Sequence, residues 1–96
     1  MNLNNLMQQA QKMQKEINKK LEEFYTKEFE YDYQNGSIIV KLTGKLNIID
    51  IKINKALIDP EDPITLQEMI AEAINCAITL VNEQKNQIIP SNNGLI

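Results

Sequence analysis

The stretch EFEYDYQNGSIIVKLTGKLNIIDIKI, residues 28–53, decides the architecture. Phe29, Tyr31 and Tyr33 alternate with Glu28, Glu30 and Asp32, the period of two expected of a half-buried strand. Asn35-Gly36 follows, a strong hairpin signal because a type I′ turn needs positive φ at both central residues. A two-residue turn there sets Tyr33 across from Ile38, Tyr31 from Val40 and Phe29 from Leu42. Reading Gly44-Lys45 as a second such turn sets Val40 across from Ile49 and Ile38 from Ile51. Both registers place apolar residues on one face, so the run predicts a three-stranded antiparallel meander. Its other face carries Glu30 opposite Lys41, with Ile39 and Ile48 as apolar exceptions.

Upstream, apolar residues fall at Leu3, Leu6, Ala10, Met13, Ile17, Leu21 and Phe24, a helix with one narrow seam. Asn2, Asn4 or Asn5 can cap its start. The width of the seam suits a single partner helix; the alternative is a helix lying on its own sheet. Downstream, Asp59-Pro60 and Asp62-Pro63 are turn and helix-start chemistry, with Asp62 the N-cap candidate and Pro63 at the first helical position. Leu66, Met69, Ile70, Ala73, Ile74, Ala77, Ile78 and Val81 then form a stripe broad enough to cover a sheet. Residues 1–96 read as one domain of the α+β class, an αβββα protomer, with residues 85–96 expected to fray.

Composition narrows the function. The 96 residues contain no histidine, one cysteine and a net charge of −3. Without histidine the usual imidazole base and the commonest metal ligand are missing. Cys76 lies inside a helix with nothing to activate it, and Asp59, Glu61 and Asp62 lack the spacing and glycine of a calcium loop. These features argue against an enzyme and predict no catalytic residues, no metal and no cofactor. No run approaches a membrane span of about 18 apolar residues and no secretory leader is legible, so the expectation is a cytoplasmic protein.

Charge is unevenly spread. Residues 1–27 hold five lysines against three glutamates, a balance of +2, and the remaining 69 hold five lysines against ten acids, a balance of −5. Lys12, Lys15 and Lys19 share one helical face away from the seam, with Gln8 on the same line. A chain this short buries only about 60–65% of its unfolded surface, which together with the seam suggests a homodimer.

The run VKLTGKLNIIDIKINKALIDPEDPITLQEMIAEAINCA, residues 40–77, and the opening NLMQQAQKMQKEI, residues 5–17, resemble the YbaB/EbfC family of nucleoid-associated proteins. The resemblance spans residues 3 to about 84 and rests on a combination: Gly36, then VKLTG, then LIDPED ahead of a helix with Ala73 and Asn75. The chain departs from the family at Ile53-Asn54-Lys55, where Ile-Asp-Pro is usual, and in its shortened tail. The resemblance implies a homodimer whose sheets form a central body and whose helices project, binding DNA with little sequence preference and organising the chromosome. With the charge spacing, it makes Lys12, Lys15, Lys19 and Lys20 the expected DNA contacts; the apolar periodicity makes Leu3, Leu6, Ala10, Met13 and Ile17 the expected dimer seam. A second reading is an interaction module that docks a replication or recombination protein through its helices, DNA binding being incidental.

Overall fold

The computed structural model describes residues 2–89, in the order α1 (Leu3–Thr26), β1 (Glu28–Tyr33), β2 (Ile38–Thr43), β3 (Ile48–Ile53), a 3₁₀ turn (Lys55–Leu57) and α2 (Pro63–Ile88). The sheet is antiparallel in the order β1-β2-β3. The molecule is elongated, 71 × 28 × 18 Å.

The β1–β2 hairpin has the register that a two-residue turn requires, Tyr33 with Ile38 through Phe29 with Leu42. Asn35 and Gly36 take φ of 53° and 85°, and the turn is tied by Ser37 N–H and Oγ–H donating to the Gln34 carbonyl. The second hairpin differs from expectation. Val40 pairs with Ile51 and Ile38 with Ile53, two residues beyond the predicted partners, and a bulge falls between the Lys41–Asp50 and Leu42–Ile48 pairs. The reason is a longer loop. Thr43 N–H donates to the Asn47 carbonyl and Leu46 N–H to the Thr43 carbonyl, while Leu46 itself takes the left-handed φ of 69°. A shift of two keeps side-chain parity, so the apolar face survives the change. Ile48, expected on the outer face, is instead paired with Leu42.

Gly44 lies in the turn that the Thr43–Asn47 bond closes, but without the left-handed φ of Gly36. A Cβ there would land on the Phe24 carbonyl and 2.7 Å from the Phe24 ring, and Gly44 N–H donates to the Lys27 carbonyl at 2.9 Å. Glycine is required because the end of α1 is pressed against the hairpin.

α2 starts where Asp62 accepts hydrogen bonds from Thr65 N–H and Thr65 Oγ–H, with Pro63 at the first position. Those two bonds hold the Asp62 carboxyl below its usual pKa. Asp59 accepts from Glu61 N–H, so two acids of the junction serve as local backbone caps. Ala73, Ala77 and Val81 are buried on Tyr33, Ile38, Val40 and Leu42, with Phe24 closing one end of the core. Each fully buried Ile, Val or Leu side chain stabilises the fold by about 1.5–3 kcal/mol. By length and a mean hydropathy of 1.3, α2 would pass for a membrane span, with 17% of that window buried; Ala73, Ala77 and Val81 are the part of its apolar surface fully covered by the sheet. The helix also continues through Ile88, past Lys85, where fraying was expected, because Lys85 sits over the Tyr25 ring and Ile88 packs on the core. Residues 90–96, the rest of the expected frayed tail, lie outside the described residues.

Candidate nucleic-acid interface

The end of α1 is fixed and its beginning is not. Phe24 is 4% exposed and packs on Phe29 with ring centroids 5.1 Å apart, and Tyr25 lies against α2 beneath the Lys85 ammonium, 5.2 Å from the ring centre. Ile17 and Leu21 are half-buried. Residues 2–16 are all exposed. The helix starts at Asn2, whose side chain accepts from Asn4 N–H at 3.0 Å, and projects away from the body.

The expected seam is thus divided. Ile17 lies at the margin of the body, whereas Leu3 (72% exposed), Leu6 (46%), Ala10 and Met13 (56%) are left uncovered by the described residues. Met7, which the periodic reading left out, widens this apolar strip at 59% exposed.

Lys12, Lys15, Lys19 and Lys20 are all exposed. At about 100° per residue, Lys12, Lys15 and Lys19 form a row roughly opposite the seam, with Gln8 in line, while Lys20 lies nearer the seam. Among the described residues none of these lysines enters an ion pair; the pair present is Lys41–Glu28, at 3.3 Å on the outer face of the sheet. Glu16 and Glu23 share a shallow surface depression with Lys19 and Lys20 without bridging them. The row is therefore a set of solvated point charges on a rod, a form that suits phosphate oxygens.

A groove of about 580 Å³, larger than the depressions along α1, lies elsewhere, between β1 and one side of α2, lined by Tyr31, Cys76 and Leu80 with Glu72 and Glu83. Tyr33 donates its phenolic hydrogen to Glu72 at 2.6 Å, and this bond, with desolvation and the carboxylate charge, pushes the Tyr33 pKa up to about 12. The Cys76 thiol beside Tyr31 raises the Tyr31 pKa as well. The acidic rim is unsuited to a polyanion, so the groove and the lysine row are separate surfaces.

The sequence pattern of the YbaB/EbfC DNA-binding family matches residues 1–94. A nucleoid-associated protein of Malacoplasma penetrans is 48% identical over 88 residues, 92% of this chain and 93% of that protein. Another, of Ureaplasma parvum, is 40% identical over 99% of both chains. A crystal structure of an uncharacterized protein from Helicobacter pylori superposes with a TM-score of 0.68 at 22% identity, covering 92% of each chain, and so shares the fold. The chain belongs to the YbaB/EbfC DNA-binding family.

Proposed function

We propose that the protein acts as a homodimer that binds DNA through its phosphate backbone, with little sequence preference, using Lys12, Lys15, Lys19 and Lys20 of both protomers. The observation that carries this reading is the row of unpaired lysines on a helix held at one end and exposed along the other. The chain has no arginine, the residue that forks onto guanine, which favours phosphate contact over base readout. Acids on the body, including Glu28, Glu30 and Asp32 of β1, repel the duplex and direct it towards the projecting helices. The exposed strip from Leu3 to Met13 is the surface that a second copy covers. The names of the relatives support nucleoid association, and a cytoplasmic location is part of the same proposal.

A salt titration tests the proposal. Eight lysines touching phosphate would give a slope of log K against log salt of about −0.9 per contact, and repulsion from the body reduces the expected number to roughly three to five. Changing Lys12, Lys15 and Lys19 together to Glu abolishes binding at low salt and leaves the dimer intact, because none of them lies on the seam. Undiminished binding by that variant, or no binding by the natural protein at about 50 mM salt, overturns the proposal and favours the interaction module.

A further inference from the structure

We infer that the open edge of β1 receives an extended, cationic segment of a different protein, added as an antiparallel fourth strand with basic side chains across from Glu30 and Asp32 and apolar side chains in the groove beside Tyr31. The inference is independent of the DNA reading and concerns another surface.

Three features meet along this edge, and the first is the backbone. β1 is a terminal strand of the sheet. Gly44 N–H donates to the Lys27 carbonyl at 2.9 Å, so by alternation Phe29, Tyr31 and Tyr33 also bond inward to β2. The N–H and C=O groups of Glu28, Glu30 and Asp32 are then turned towards the open edge. Such a row is a template for an added strand, and antiparallel pairing is the slightly more stable form.

The second feature is the groove of about 580 Å³ beside Tyr31. Side chains of a fourth strand alternate between the two faces of the sheet, and those on the α2 side enter this space, against Cys76 and Leu80. From Glu72 to Glu83 the flank of α2 runs about 16 Å at about 1.5 Å per residue, the length of about five strand residues. β1 has six, so edge and groove match in length.

The third is charge, which selects the occupant. Glu28, Glu30 and Asp32 stand on one face of the edge, and Glu72 and Glu83 border the groove on the other. Glu28 is engaged by Lys41 and Glu72 accepts from Tyr33, whereas among the described residues Glu30, Asp32 and Glu83 enter no ion pair. A second copy's β1 would set acid against acid, and its β3, with one charge of each sign, would leave acids unmatched. Residues 90–96 carry no basic side chain. DNA is repelled by the same carboxylates. A strand that alternates basic with apolar residues satisfies both faces at once.

The test uses the whole protein and a blocked heptapeptide alternating lysine with valine. Hydrogen exchange at the amides of Glu28, Glu30 and Asp32 reports on the edge, and the alkylation rate of Cys76, the single cysteine, reports on the groove. Saturable binding below about 1 mM peptide is expected, with both rates slowed several-fold. Two control peptides are each expected to bind roughly tenfold more weakly, one with the same residues in two blocks and one N-methylated at its lysines, whose N–H groups face the edge. Glu30→Lys and Glu83→Lys are each expected to weaken binding roughly tenfold at low salt; the second lies on α2 and serves if the first disturbs the sheet. No binding at that concentration, equal binding of either control, or protection at Ile51 and Ile53 of β3 in place of β1 overturns the inference. So does concentration-dependent protection of the β1 amides without peptide, which would make a second copy the occupant. The lysine row of α1 is untouched by any of these outcomes and is tested by the salt titration.

Discussion

The two halves of α1 carry the same apolar spacing and have different fates. From Ile17 to Tyr25 the helix sinks into the body, with Phe24 4% exposed and in contact with Phe29. From Leu3 to Met13 the same seam lies in the open. Helix propensity does not separate the halves, since the first is built on Gln, Lys, Met and Leu and the second on Lys, Glu and Leu, all good helix formers. What separates them is the small volume of Gly44, which lets the backbone near Phe24 and Lys27 approach the β2–β3 hairpin. Amphipathic spacing states that a face is to be covered, and the tertiary partner decides which part of it the protomer covers itself.

The sharpest way to break this contrast is to remove its anchor. Phe24→Ala is expected to cost about 3–5 kcal/mol, the range for deleting a buried aromatic ring, measured as a shift in the denaturant midpoint. An unchanged midpoint would show that α1 is not held there. Gly44→Ala should cost about 1–3 kcal/mol by forcing α1 off the hairpin. Its diagnostic sign is greater exposure of Tyr25, read by fluorescence or hydrogen exchange.

Gly44 also shows where reading residues in order succeeds and where it stops. Asn35-Gly36 is legible because turn geometry is local, and a positive φ there follows from two adjacent residues. Gly44-Lys45 looks equivalent, yet its glycine answers to a backbone about twenty residues away, and the left-handed residue of that loop is Leu46. Nothing in the type of residue 46 announces this, because leucine disfavours the conformation by roughly 1–2 kcal/mol. It is held by the Thr43–Asn47 closure and by Thr43 Oγ accepting from Lys45 and Asn47 N–H. The lysine row was legible for the opposite reason: spacing along one helix is local, so Lys12, Lys15 and Lys19 had to share a face. Met7 was missed because the reading followed the line Leu3, Leu6, Ala10, although Met7 stands four residues after Leu3 and three before Ala10 and is part of the same exposed strip.

A pH titration sharpens the contrast by loosening the body through Tyr33. The Tyr33 hydroxyl must be protonated to donate to Glu72. Its folded pKa is raised from 10.0 to about 12, so the stabilisation is complete below pH 10 and is lost as pH rises through 12. Alkaline destabilisation in this window should be smaller in Tyr33→Phe, whose stability at neutral pH is lower. An identical alkaline limb in both proteins would show that another group titrates there.

The smallest expected effect on the fold is the most informative about the free half. Leu6 and Met13 are 46% and 56% exposed, so truncating both to alanine removes little buried surface from the protomer. Alanine is also the better helix former. The folding stability of the isolated protomer should therefore change by no more than about 0.5 kcal/mol, measured at concentrations too low for association. At higher concentration the outcome separates two pictures. If a second copy covers the seam, the double substitution weakens the dimer by roughly tenfold or more, since two apolar contacts of about 1 kcal/mol each are lost. If the seam stays open in the dimer, affinity is unchanged and the bodies alone hold the copies together. A large loss of protomer stability would contradict the division of α1 itself, because it would mean that the chain covers its own seam in solution.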